Sequence, residues 1–147
     1  MVRQSKSPSA SPSHDPLVSP PKRTGITRAL FALKHSYDGL LATFRAESAF
    51  RQEVALAVVL LPCAVLLPVA AIERVMLIGS VLLVLLVELL NSAVEAVVDR
   101  ISLDRHELSR RAKDCGSAAV LIALAICATT WGTLLWPVLK QWWRAHR

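Results

Sequence analysis

The chain has 147 residues, enough for one domain and too few for a catalytic domain with a separate partner module. Hydrophobic residues make up 54% of it and mean hydropathy is +0.46, more apolar than a soluble domain of this size, while aromatics are only 5%, so the excess is aliphatic. The net charge of +6 lies outside the apolar runs, which favours a lipid headgroup over nucleic acid as its counterpart, and Cys63, Cys115 and Cys127 show no paired spacing that would imply a disulfide framework.

Residues 1–23 carry Pro8, Pro12, Pro16, Pro20 and Pro21 among many serines, a composition that predicts a disordered tail without the apolar stretch of a signal peptide. From about residue 24 to 53 the pattern changes. Ile26, Leu30, Leu33, Tyr37, Leu41 and Phe44 recur at three- and four-residue spacing, while Arg28, Lys34, His35, Asp38 and Arg45 lie off that stripe. A basic amphipathic helix just before a membrane span reads as interfacial, with Gly39 a candidate bend. Three apolar runs follow, at about 54–71, 75–98 and 116–139, each near the ~20 residues that a hydrocarbon core requires. Pro62 and Pro68 interrupt the first, which predicts a kink. The expected fold is therefore an all-α integral membrane protein of three transmembrane helices behind an interfacial helix, with residues 24–147 as one domain.

Lys and Arg set the orientation. Eight precede the first span and five lie between spans two and three, against Arg74 in the first loop and Lys140, Arg144 and Arg147 at the end. The N-terminus is expected in the cytoplasm and the C-terminus outside, with Trp136, Trp142 and Trp143 at the outer interface.

The second run holds the chemistry. Glu88, Asn91, Glu95 and Asp99 stand in an otherwise aliphatic helix, at offsets that place all four within a ~80° sector of one face. Each carboxylate at membrane depth costs at least ~2.5 kcal/mol, so a random aliphatic span would not gather them there. Interhelical glue, a proton or cation pathway, and interfacial catalysis all use such a face. Between Val75 and Val87 the single polar side chain is Ser80, so the cluster is one-sided, as a reaction at the cytoplasmic headgroup level would need. On that side also lie Glu47, Arg51 and Glu53, and a run from Arg105 to Asp114. Carboxylates suit Mg²⁺, cations suit polyphosphate, and a carboxylate in a dry setting can accept a hydroxyl proton; together these describe phosphoryl transfer. No GxxxxGK[ST] loop is present to name the nucleotide.

The strings Glu47-Ser-Ala-Phe-Arg-Gln-Glu53, Glu88-Leu-Leu-Asn-Ser-Ala-Val-Glu-Ala-Val-Val-Asp-Arg100, His106-Glu-Leu-Ser-Arg-Arg-Ala-Lys-Asp114 and Gly116-Ser-Ala-Ala resemble the prokaryotic membrane-integral diacylglycerol kinases. The resemblance covers about residues 24–137. It implies an ATP-dependent kinase of the bacterial inner membrane, a homotrimer with active sites between neighbouring subunits, that converts diacylglycerol to phosphatidic acid. Position by position, it makes Glu88 the catalytic base, and Glu47 and Glu95 the carboxylates that hold Mg²⁺ bridging to ATP. It places Lys113 and Asp114 at the nucleotide phosphates, and Asp104, Arg105 and His106 in the loop that contacts the nucleotide. Arg28 becomes a basic residue of the interfacial helix at both nucleotide and lipid, and Asn91 a polar neighbour of the base. Ser117 falls near the transferred phosphate. Trp131, beyond the middle of the third span, is expected either beside the acyl chains or packed between helices. His35 stands at a nucleotide contact where several relatives carry tyrosine, and the second loop keeps His106 while changing its neighbours. A related branch phosphorylates undecaprenol, whose primary hydroxyl poses the same chemistry; a non-catalytic transporter or regulatory subunit is the rival outside the enzyme class.

Overall fold

The computed structural model describes residues 25–101 and 106–145. The predicted tail, and Asp104 and Arg105 of the second loop, lie outside the described residues. Four α-helices are described: α1 (Ile26–Ala46), α2 (Ser48–Leu66), α3 (Ala71–Ile101) and α4 (Glu107–Ala145). The last three are long and apolar enough to cross a membrane. At ~1.5 Å per residue, α3 and α4 exceed a ~30 Å hydrocarbon core, so their ends reach beyond it.

Helix boundaries follow local chemistry. Gly25, with φ 73°, opens α1, and its carbonyl accepts from the Arg28 N–H at 3.1 Å. Gly39 does not interrupt α1, which runs unbroken to Ala46. The single helix expected over 24–53 is instead divided at Glu47, whose backbone is extended, so residues 48–53 belong to the first span. That span ends earlier than expected, at Leu66. Pro68 drives the residue before it, Leu67, out of the helical region to φ −63° and ψ 139°. Ala71, expected to close the first span, opens α3. There the Glu73 carboxylate accepts from the Ala70 N–H at 2.8 Å, and Arg74 Nη2 donates to the Leu67 carbonyl at 3.2 Å, tying the turn together. Pro62 is accommodated inside α2.

The core is a seam between α2, α3 and α4. From α2 it takes Ala57 and Ala64, seven residues apart and in line with the buried Phe50 one heptad earlier. From α3 it takes Leu77, Val81 and Val84, and from α4 Ala123, Cys127 and Trp131 at four-residue spacing. The alanines let the helix backbones approach closely, which is how apolar helices gain packing energy where lipid competes equally for hydrophobic contact. Leucines, isoleucines and valines such as Leu66, Leu86, Leu121 and Ile122 face outward, as a hydrocarbon solvent allows. Of the two places open to Trp131, beside the acyl chains or packed between helices, the chain takes the second: it is 8% exposed and belongs to the core cluster. Helix α1 buries none of its residues, and its stripe residues Ile26 and Tyr37 are 80% and 64% exposed.

Candidate active site

The buried row of α3 runs Leu77, Val81, Val84, Glu88, at spacings of four, three and four. The packing pattern asks for an aliphatic side chain at the fourth place and the sequence supplies a carboxylate. Glu88 is 4% exposed, buried within the bundle. Among the described residues it has no ion-pair partner. Its electrostatic neighbours are Glu53 from α2, Glu47 from the α1–α2 break and Glu95 one heptad along α3. Four carboxylates from three elements thus converge at one end of the bundle.

The surrounding polar groups order this face. Asn91 Nδ2 donates to Glu95 Oε1 at 3.1 Å, an i,i+4 bond that fixes the carboxylate's rotamer. Asn91 Oδ1 is buried without a partner and lies against Gly116 of α4, where any Cβ would overlap it. Glycine there lets α3 and α4 meet side chain to backbone. One turn further out, Lys113 Nζ binds Asp99 Oδ1 at 2.6 Å, joining the two helices by a partly exposed ion pair. Lys113 also senses the Glu95 and Glu47 charges.

The other predicted residues are placed less tightly. Asp114 pairs with Arg110 at 2.9 Å on the exposed side of α4. His106 precedes α4 and caps it: its carbonyl accepts from the Arg110 N–H, and its Nδ1 accepts from the Leu108 N–H at 3.2 Å, leaving Nε2 outward. Ser117 is exposed. Arg28 and His35 are exposed on α1, and neither makes a side-chain hydrogen bond or ion pair among the described residues. One chain therefore gathers Glu47, Glu88, Asn91, Glu95 and Lys113 and leaves Arg28, His35, Asp114 and Ser117 facing away from its interior.

Three residues on this side gain partners that the sequence does not single out. Asp99 of the polar face pairs with Lys113. Glu53 of α2 lies within electrostatic reach of Glu88. Arg51 spans the α1–α2 break and donates to main-chain carbonyls, a contact that no motif signals.

Among the described residues no three His, Cys, Asp or Glu groups already form a closed metal cage. An open site is what Mg²⁺ takes, since it keeps several waters and binds through one or two carboxylates plus substrate phosphates. Glu47 and Glu95 supply hard oxygens beside an excess of negative charge, so the donor set fits.

Comparison with known proteins agrees with the motifs. Residues 34–135 match the family described as prokaryotic diacylglycerol kinase. A diacylglycerol kinase of Pseudomonas aeruginosa is 56% identical over 113 residues, covering 77% of this chain and 92% of that protein. That of Haemophilus influenzae is 52% identical over 114 residues, 78% of this chain and 97% of that protein. That of Escherichia coli strain K12 is 55% identical over 113 residues, 77% and 93%. The shared length takes in the carboxylate row, the Gly116 contact and the Lys113 pair. This chain belongs to the prokaryotic diacylglycerol kinase family, and is an enzyme and an integral membrane protein.

Proposed function

We propose that this protein transfers the terminal phosphoryl group of ATP to the primary hydroxyl of diacylglycerol, giving phosphatidic acid and ADP at the cytoplasmic face of the bacterial inner membrane. The observation that carries the reading is Glu88, a carboxylate in a core position, ringed by further carboxylates. Glu88 accepts the hydroxyl proton as the lipid oxygen forms its bond to the γ-phosphorus and the bond to the β,γ-bridging oxygen breaks. The relatives' printed names support the lipid substrate.

Each neighbour then has a task. Glu47 and Glu95 hold Mg²⁺, which when bound neutralises charge on the phosphates. Asn91 keeps Glu95 oriented and stands beside the base. Lys113, held over the site by Asp99, meets phosphate oxygens, with Asp114, Asp104, Arg105, His106, Arg28 and His35 as further nucleotide contacts. Arg28, Asn91 and Ser117 face the lipid headgroup. The helix α1 lies in the headgroup plane with its apolar stripe toward lipid. Residues that face away from one chain's interior become site residues if a neighbour completes the pocket, and this supports a homotrimer with shared sites.

The deciding experiment is phosphorylation by purified protein in bilayers, with diacylglycerol and undecaprenol supplied in parallel and labelled ATP as donor. Labelled phosphatidic acid is the expected product, and it should be lost in Glu88→Gln. Preference for undecaprenol would reassign the substrate, and no lipid phosphorylation at all would overturn the reading.

A further inference from the structure

The break between α1 and α2 is one residue long, and that residue is Glu47. Its backbone is extended, at φ −101° and ψ 122°. Its N–H closes the last turn of α1, donating to the Thr43 carbonyl at 2.8 Å, while its carbonyl accepts the first bond of α2, from the Arg51 N–H at 3.4 Å. Glu47 is thus the last cap of one helix and the first cap of the next. An N-cap side chain usually accepts a bond from its own helix, which would tie it down. The Glu47 side chain makes no such bond, so its carboxylate is free for the Glu88 face of α3.

Something else must hold the junction. Arg51, one turn into α2, reaches back across the break, and its Nη1 donates to the carbonyls of Phe44 and Arg45, at 3.2 Å each. These are among the last carbonyls of α1, which have no partner within their own helix. They also carry the negative end of the helix dipole, where a guanidinium is favoured. One nitrogen bridging two successive carbonyls fixes the end of α1 against the first turn of α2. That angle sets the direction in which Glu47 leaves the backbone.

We propose that Arg51 is a positioning residue, which clasps the end of α1 to α2 and thereby holds the Glu47 carboxylate on the Glu88–Glu95 face. The inference rests on the reading of Glu47 as a divalent-cation ligand. Both hydrogen bonds are exposed, so water replaces them when they are lost. Loss of the clasp therefore relaxes the aim of Glu47 more than it unfolds the chain.

The test compares Arg51→Ala, Arg51→Lys, Glu47→Ala and the Arg51→Ala/Glu47→Ala double variant as purified protein in bilayers. Removal of a partner that orients a metal ligand weakens metal binding by roughly 10–100-fold. Arg51→Ala should raise the Mg²⁺ half-saturation for activity about ten-fold and leave the lipid KM alone. Arg51→Lys reaches one carbonyl at a time and should recover only part. The double variant should be no worse than Glu47→Ala, because Arg51 acts through Glu47. A second readout needs no turnover. Nitroxide labels placed by Lys34→Cys and Val58→Cys, with the three native cysteines replaced and the protein diluted in unlabelled chains, report the α1–α2 distance without metal. The distribution should be narrow with Arg51 and broad with alanine.

A Mg²⁺ dependence unchanged by Arg51→Ala but altered by Glu47→Ala would overturn the clasp and leave the metal reading standing. A dependence unchanged by Glu47→Ala would overturn the metal reading, and the inference with it. Full rescue by Arg51→Lys together with an altered ATP KM would make Arg51 a phosphate contact instead. If Arg51→Ala fails to fold, Arg51→Met carries the same comparisons, and a wild-type distance distribution in it would also overturn the clasp.

Discussion

At the scale of single residues, the site is built by breaking a packing rule at one position. Glu88 sits where Leu77, Val81 and Val84 lead, so its carboxylate is desolvated by the same neighbours that make those residues core. Glu88→Gln keeps the volume and removes the basic oxygen. It should fold normally and lose ~10²–10⁴-fold in kcat, the contribution of a positioned base; turnover within a few-fold of wild type would remove Glu88 from that role. Glu47→Ala and Glu95→Ala should each raise the Mg²⁺ needed for half-maximal rate more than they change lipid KM, measured by titrating Mg²⁺ at fixed ATP. Gly116→Ala tests the close approach of α3 and α4. Its Cβ would overlap Asn91 Oδ1, so the helices must part or Asn91 must release Glu95. Overpacking of this kind costs about 1–3 kcal/mol, and both thermal stability and kcat should fall. The carboxylate row was legible in the sequence because ionisable groups in an aliphatic helix are conspicuous. The Gly116–Asn91 contact was not, since it depends on the register between two helices.

At the scale of elements, punctuation decided what could be read. Pro68 lies at the end of the first span, and the chain leaves the helix at the residue before it. The break at Glu47 has no such sign: Ser48 to Glu53 contains neither glycine nor proline, and helical residues continue on both sides. Local sequence allows one helix there, and the division comes from α2 packing Phe50, Ala57 and Ala64 into the bundle while α1 stays outside it. The side that Trp131 faces is open in the sequence for a related reason. Its depth along α4 is legible, but whether it turns to lipid or to the core depends on how α4 packs on its neighbours. Its indole Nε1 is buried without a hydrogen-bond partner among the described residues, so the ring serves by filling space. Trp131→Ala should cost ~3–5 kcal/mol of stability. Unfolding in detergent mixtures would measure it, and the KM for long-chain substrate in the folded fraction should not change.

At the scale of the whole molecule, the exposed surface of one chain is the argument for assembly. The α1–α3 groove is lined by Gly39, Ala42, Thr43 and Ala46 on one side and by Leu89, Ser92, Ala93 and Ala96 on the other, mostly small residues that admit another backbone. Ser92 Oγ in that groove is buried with no hydrogen-bond partner among the described residues. Thirteen basic residues before residue 54 and between residues 100 and 113, against four elsewhere, predict the same orientation for every copy, with the carboxylate end in the cytoplasm. Copies so oriented can bring Arg28, His35, Asp114 and Ser117 of one chain toward the Glu88 row of another by rotation about an axis normal to the membrane. Shared sites have a measurable consequence. Glu88→Gln and Arg28→Ala should each lose most activity alone, because each removes one half of the proposed machinery. When the two variants are unfolded, mixed and refolded together, some interfaces should join an intact Glu88 to an intact Arg28 from different chains, and activity should return. A mixture that stays inactive would mean that one chain supplies both. A Glu88→Gln mixture with Lys113→Met is the control: Glu88 and Lys113 stand together between α3 and α4 of one chain, so every refolded site lacks one of them and that mixture should stay inactive.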